Sequence, residues 1–140
     1  MTPEEEKVLE ANKNFYRALQ ALSIEEMESV WLQEEWVRCL HPGWEFLEGW
    51  EAVHESWQQI FENTTFMRLT VGVQAVRVEK GIAWVCCTEK ISSASEGRFE
   101  TAFAQATNIF KLYNGRWLLV HHHASHLPAP ITNPAAEIVQ

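Results

Sequence analysis

The run Trp117-Leu118-Leu119-Val120-His121-His122-His123-Ala124-Ser125 has the composition of an extended strand and carries three consecutive histidines. Neighbouring side chains of a strand point to opposite faces of a sheet. His122 is therefore expected on one face, and His121 and His123 on the other. Imidazole is well suited to proton transfer near neutral pH. The position of a pocket then decides which of these histidines takes part in chemistry.

Three segments before this run are predicted as strands. The first starts at Phe66 and alternates with a period of two. The second, from Ile82 to Ile91, is apolar on both faces until Glu89, and the third is a long strand from Phe99 to Tyr113. The first of them slips in phase at Ala75-Val76, which predicts a β-bulge. Lys80-Gly81 predicts a turn, Ser92 to Gly97 a loop, and Asn114-Gly115 a tight hairpin before the last strand.

The N-terminal half has helical periodicity. Residues 4–22 place apolar side chains at helical spacing, and Asn12 is a polar residue within that apolar stripe. A capping box that begins at Ser23 predicts a second, short helix. Trp36 to His41 is a strand candidate, and a third helix is expected to follow Gly49 and to end near Asn63.

The order of these elements predicts an α+β fold. A curved antiparallel sheet would wrap about three N-terminal helices around a pocket. The later strands do not alternate cleanly between apolar and polar residues, although an antiparallel sheet with one wet face should do so. Both faces of the sheet are therefore expected to be covered. The helices would cover one face and a second copy of the chain, in a homodimer, would cover the other.

Length and cysteine content suit a single intracellular domain. The 140 residues fit one domain over residues 1–128, and a proline-spaced tail follows over residues 129–140. The odd number of cysteines (Cys39, Cys86 and Cys87), without a recognisable signal peptide, indicates reduced thiols and a cytoplasmic location.

Charge and hydropathy exclude several classes of partner. The formal net charge of −8 argues against nucleic acid and anionic membrane, because both require a basic surface. No apolar run approaches the roughly 20 residues that span a bilayer. Seven tryptophans favour aromatic walls around a pocket or an interface. The expected ligand is therefore a small apolar or aromatic molecule.

The chain resembles the nuclear transport factor 2-like superfamily over roughly residues 5–127. The resemblance lies in the helix order, in the Asn114-Gly115 hairpin and in the ending Trp117-x-x-Val120-His121-x-His123-x-Ser125. This ending is similar to SnoaL-like domains and to the association domain of calcium/calmodulin-dependent kinases. The stretch from His41 to Glu45, through Gly49-Trp50 and on to Ser56-Trp57, is also similar to a subset of stand-alone SnoaL-like proteins without assigned activity. The resemblance implies a cone-shaped fold, while the function is open because this fold serves many functions.

The resemblance to ketosteroid isomerase, a member of the superfamily, implies roles for individual residues. The isomerase has a catalytic Asp before a Pro at the end of its first strand, and His41 stands before Pro42 here. Its oxyanion tyrosine matches a place close to Asn12, and its second oxyanion donor matches Thr107-Asn108. Neither place holds a carboxylic acid here, so the resemblance does not extend to steroid isomerisation.

The kinase association domain implies a second view of the same pocket. Its pocket arginines match positions near Glu89, Asn108 and Ala124, so anion-binding arginines are missing and carboxylates are not favoured as ligands. If Ala124 faces inwards, strand parity also places His122, Val120 and Leu118 inside. A slip of one residue in the hairpin would exchange the two faces.

The candidate catalytic residues are His41, Glu89 and His122. The candidate ligand-binding residues are Asn12, Asn108, Trp36, Trp44 and Trp57. Each of them also has a purely structural interpretation, as a strand cap, a buried hydrogen-bonding group or a core aromatic residue. The sequence has no recognisable metal-ligand spacing, phosphate loop or dinucleotide motif, so neither a metal nor a cofactor is expected.

Two hypotheses follow for the function. In the first, the chain is an isomerase, cyclase or dehydratase without a cofactor. His41 or Glu89 would then remove a proton next to a carbonyl group, and Asn12, Asn108 or His122 would bind the enolate. In the second, the same cavity binds a ligand or supports a dimer without turnover.

Overall fold

The computed structural model describes residues 1–128, so the predicted tail over residues 129–140 lies outside the described residues. Three helices and an open, curved six-stranded sheet form the predicted α+β fold. The helices are α1 (Pro3–Gln20), α2 (Ile24–Val30) and α3 (Trp50–Glu62). The strands are β1 (Arg38–Leu40), β2 (Leu47–Glu48), β3 (Phe66–Val78), β4 (Ile82–Ser95), β5 (Arg98–Tyr113) and β6 (Arg116–His126).

Local signals explain where the helices begin. Thr2 and Glu5 form a reciprocal capping box at the start of α1. Ser23 caps α2 by accepting a hydrogen bond from the backbone of Glu26, as predicted. Gly49 precedes α3 with a φ of 91°, and a Cβ atom at this position would lie 3.2 Å from the carbonyl oxygen of Glu35. Glycine is therefore required there both for backbone conformation and for space.

The sheet has the strand order β2-β1-β6-β5-β4-β3. The predicted hairpins at Lys80-Gly81 and Asn114-Gly115 are confirmed. The sheet is antiparallel as predicted, except that the short strand β1 pairs with β6 in parallel, which the sequence did not reveal. The predicted loop over Ser92 to Gly97 is also wrong, since β4 continues to Ser95 and only Glu96-Gly97 turn. The polar end of β4 stays extended because β3 and β5 pair with it on both sides.

The inner face of the sheet is the face that packs on the helices. His122 and Ala124 lie on it, opposite Asn108 and Ala106 of β5, while His121 and His123 face the other way, as predicted. A register shift between Ile109 and Phe110 pairs Phe110 with Leu119. This bulge changes the parity of β6, so Leu119 faces inwards and the prediction of an inward Leu118 is wrong. The predicted bulge in β3 is present between Val73 and Ala75.

The core lies between the inner face of the sheet and the three helices. Its largest fully buried side chains include Phe15, Tyr16, Trp31, Trp57 and Phe110. No helix within residues 1–128 is both long enough and apolar enough to cross a membrane.

Candidate functional site

Five polar side chains are buried together between α1 and the inner face of the sheet. Asn12 and Tyr16 come from α1, Glu89 from β4, Asn108 from β5 and His122 from β6. We call these five residues the interior network. Strand register brings its sheet members together, because Asn108 lies directly opposite His122. The helical spacing of four residues places Asn12 and Tyr16 on the same side of α1.

The hydrogen bonds of the interior network run in one direction. Asn108 Oδ1 accepts a hydrogen bond of 2.6 Å from Nδ1 of His122, because an amide oxygen can only accept. Asn108 Nδ2 donates to Asn12 Oδ1 at 2.9 Å and to the hydroxyl oxygen of Tyr16 at 3.1 Å. The Tyr16 hydroxyl then donates to Glu89 Oε2 at 2.5 Å. The donors therefore lead from His122 through Asn108 and Tyr16 to the carboxyl group of Glu89.

Glu89 is the group in this network whose protonation changes near neutral pH. It is 2% exposed, and burial raises its pKa from 4.5 to about 7, although the hydrogen bond from Tyr16 acts in the opposite direction. Its second oxygen, Oε1, takes no hydrogen bond from residues 1–128. Burial raises the pKa of Cys87 to about 12, so its thiol, 3.1 Å from the Tyr16 hydroxyl, stays protonated. Burial likewise raises the pKa of Tyr16 well above its ordinary value.

His41 belongs to a separate buried group. Ser56 donates its hydroxyl hydrogen to the carbonyl oxygen of Val53 at 2.6 Å, so Nε2 of His41 must donate to Ser56 Oγ at 2.9 Å. Burial lowers the pKa of His41 to about 4, which keeps the ring neutral at pH 7. Burial also lowers the pKa of His122, and His41 adds a smaller effect in the same direction.

The two histidines share a cluster of aromatic rings. The centroids of His41 and His122 are 6.4 Å apart, and Trp57 lies 4.5 Å from the first and 6.1 Å from the second. Phe15 packs against His122 at 4.9 Å and against Trp57 at 5.7 Å. The indole nitrogen of Trp57 is fully buried and has no hydrogen-bond partner among residues 1–128. Its N–H group is therefore an unpaired donor beside both histidines.

The predicted ligand-binding tryptophans are placed differently from one another. Trp57 is buried in the ring cluster, whereas Trp36 is 49% exposed and Trp44 is 41% exposed. Trp44 packs edge-on against His41 at 4.9 Å and so shields that ring from one side. These three side chains do not form one common wall.

A cavity of about 290 Å³ lies beside the interior network, between α1 and β3. We call it the α1–β3 cavity. Its volume is close to the lower limit of small-molecule sites, about 300 Å³. Val71 lines it and lies directly opposite Glu89 in the register of β3 and β4, and Tyr16 lines it while donating to Glu89. The lining residues are Leu9, Asn12, Lys13, Tyr16, Val71 and Val73.

The sequence predictions named three members of the network's hydrogen-bonded chain but missed Tyr16. Glu89, Asn108 and His122 are buried where strand parity placed them, and Asn12 faces the same interior. Tyr16 follows Asn12 by one helical turn, so helical spacing alone could have predicted a second polar side chain beside Asn12. Ser56, which fixes the ring of His41, was missed as well. Within residues 1–128, no three side chains of the His, Cys, Asp and Glu types are grouped closely enough to hold a metal ion.

Solved structures resemble this chain over almost its whole length. A candidate dehydratase of the NTF2-like family from Streptomyces avermitilis is 34% identical, with a TM-score of 0.84 over 91% of this chain and 100% of that chain. A candidate calcium/calmodulin-dependent protein kinase type II association domain from Thiobacillus denitrificans is 28% identical, with a TM-score of 0.76 over 90% of this chain and 95% of that chain. The predicted superfamily and fold are thereby confirmed.

A curated relative and a family model extend this comparison. F-box protein SKIP8 of Arabidopsis thaliana is 29% identical over 118 residues, which are 84% of this chain and 48% of that protein. The chain therefore spans about half the length of this relative. The model of the SnoaL-like domain matches residues 8–130. The chain belongs to the SnoaL-like domain family.

Proposed function

We propose that this chain binds a small apolar or cyclic molecule in the α1–β3 cavity and transfers a proton on it without a cofactor. The reaction would be an isomerisation, a cyclisation or a dehydration. One observation carries the proposal: a chain of hydrogen-bond donors ends on Glu89, a buried carboxyl group with a pKa of about 7. A group with such a pKa can both accept and return a proton near neutral pH.

The proposed chemistry assigns a step to each group. The ionised Oε1 of Glu89 takes a proton from the carbon next to a carbonyl, and the electron pair of the broken C–H bond forms an enolate. Asn12, which lines the cavity, hydrogen-bonds the enolate oxygen through its amide nitrogen, while the hydroxyl hydrogen of Tyr16 stays on Oε2 of Glu89. Protonated Glu89 then returns the proton to another carbon in an isomerisation. In a dehydration it gives the proton to a hydroxyl group, which leaves as water while a C=C bond forms.

His122 and Asn108 are positioning residues in this proposal. They fix the direction of the hydrogen bond that Tyr16 makes to Glu89, whereas Glu89 itself lies directly opposite Val71 of the cavity wall. Glu89 is preferred to His41 as the base because burial lowers the pKa of His41 to about 4 and its Nε2 hydrogen is bound by Ser56. The resemblance to the Streptomyces avermitilis candidate dehydratase supports the dehydratase variant of the reaction.

The test begins with native mass spectrometry of the purified chain, which identifies a molecule that copurifies with it. Exchange of hydrogen for deuterium at the acidic carbon of that molecule is then followed by NMR in deuterated buffer. Glu89→Gln should lower the exchange rate by about 100-fold or more, since general acid–base catalysis contributes about 10²–10⁴. Glu100→Gln, which changes an exposed carboxylate of β5, is the matched control. Unchanged exchange in Glu89→Gln would contradict the proposal.

The alternative is a ligand-binding or dimerisation module without catalysis. The close packing of His41, His122 and Trp57 favours it, and so does the match to only half of a longer F-box protein. Binding of the copurified molecule without any protein-dependent exchange would support this alternative.

We also propose that the chain forms a homodimer through the outer face of the sheet. Ile82 and Trp84 lie close together on that face and are 42% and 37% exposed, so they offer apolar surface to a second copy of the chain. Sedimentation velocity at micromolar concentration should give a dimer, and Trp84→Glu should shift it to the monomer. Trp36→Glu, at another exposed tryptophan, is the control. A monomeric wild type would contradict this proposal.

A further inference from the structure

We propose that the ligand of the α1–β3 cavity is a small apolar carboxylic acid whose carboxylate pairs with Lys13. This inference rests on the proposed function, because it names the class of molecule that the cavity admits. Lys13 is the one charged residue among the six that line the cavity. A single cation thus stands at an apolar cavity of a chain whose formal net charge is −8.

The ion pairs of α1 distinguish Lys13 from the other basic residues of the helix. Lys7 lies 3.2 Å from Glu4, and Arg17 lies 3.6 Å from Glu10. Lys13 makes no ion pair with any residue of the described part of the chain. Its ammonium group is therefore available to an anion, whereas the other two are already partnered.

The other residues that line the cavity complement the positive charge of Lys13. Asn12 is 2% exposed and uses its side-chain oxygen to accept from Asn108, and its amide nitrogen bonds the thiol of Cys87 with one of its two hydrogens, which leaves the second hydrogen for a ligand. That nitrogen is a buried donor at the cavity wall. An oxygen atom of the ligand can accept from it, and Leu9, Val71 and Val73 provide apolar contacts for the rest of the molecule.

This proposal concerns a part of the pocket that the kinase resemblance did not cover. That resemblance predicted that carboxylates are disfavoured, because residues near Glu89, Asn108 and Ala124 replace arginines. Those positions lie on the inner face of the sheet, whereas Lys13 approaches from α1. A ligand oriented with its carboxylate towards Lys13 keeps its charge away from Glu89.

The test compares phenylacetate with phenylacetamide, which have the same shape but differ in charge. Dissociation constants are measured by NMR titration at low ionic strength, because salt screens exposed charges. The wild type should bind phenylacetate about fivefold more tightly than the amide, which corresponds to about 1 kcal/mol. Lys13→Gln should remove this preference and Lys13→Glu should reverse it. Lys7→Gln, on the same helix, should leave the preference unchanged.

The outcomes separate this inference from the proposed function. Equal binding of the two probes by the wild type, an unchanged ratio in Lys13→Gln, or no binding of either probe would overturn the inference. Chemical-shift changes are expected at the amides of Val71 and Val73, and their restriction to other residues would overturn it too. Glu89→Gln should still prefer phenylacetate, so a failure of the proposed proton transfer leaves this result intact.

Discussion

Glu89→Gln tests the buried carboxyl group through the pH dependence of folding. Burial raises the pKa of Glu89 from 4.5 to about 7, so between these values the native state holds a proton that the unfolded chain releases. The stability that this proton contributes is fully present below pH 4.5 and is lost as the pH rises through 7. The whole contribution is about 3 kcal/mol at about 1.36 kcal/mol per pKa unit, and most of it is lost between pH 5 and pH 8.

The buried histidines act with the opposite sign. Burial lowers the pKa of His41 from 6.5 to about 4, so the unfolded chain binds a proton that the native state excludes. The stability from neutral His41 is present above pH 6.5 and is lost as the pH falls through 4. His122 acts in the same direction. In the wild type, rising pH between about 4.5 and 6.5 therefore lowers stability through Glu89 and raises it through the histidines, and the two changes partly cancel.

The free energy of unfolding is measured as a function of pH by urea titration, with tryptophan fluorescence as the signal and with one fixed protein concentration. The free energy of unfolding of Glu89→Gln should gain about 2–3 kcal/mol relative to the wild type between pH 5 and pH 8, because glutamine stays neutral. Glu100→Gln, at an exposed position, controls for the loss of a negative charge. A difference between Glu89→Gln and the wild type that stays constant with pH would refute the reasoning.

Two further substitutions test the environment of the histidine rings by the same unfolding measurement at neutral pH. Trp57→Phe should change the free energy of unfolding by no more than about 1 kcal/mol, because loss of an unpaired buried N–H group offsets the smaller ring. A loss of about 3 kcal/mol would instead mean that this N–H group has a partner. Ser56→Ala should cost about 1–3 kcal/mol, because it leaves Nε2 of His41 without its acceptor. No loss would contradict the assigned hydrogen bond.

The sequence was sufficient to predict the fold and most of the interior network, because the signals for both are local. Alternation along a strand places His122 inside and His121 outside regardless of what the strand pairs with. Glu89 and Asn108 were named instead through the resemblance to the kinase association domain and, for Asn108, to ketosteroid isomerase. Capping residues and the Asn114-Gly115 turn likewise act over only a few residues.

The errors have a common physical cause, which is pairing between distant segments. The parallel contact of β1 with β6 depends on where the chain returns after five other elements. The bulge opposite Ile109 and Phe110 reverses the face of Leu118, and alternation within β6 alone does not reveal it. Ser92 to Ser95 have the composition of a loop, yet two neighbouring strands hold them in the sheet.

The interior network is better explained by function than by stability. Above pH 7, burial of the ionised Glu89 costs about 3 kcal/mol, a large part of the roughly 5–15 kcal/mol that stabilises an ordinary domain. An apolar residue at that position would avoid this cost and would leave the fold intact. The hydrogen bonds from His122 through Asn108 and Tyr16 all run towards this one carboxyl group. Such an arrangement keeps Glu89 able to exchange a proton near neutral pH, which is the property that proton-transfer catalysis requires.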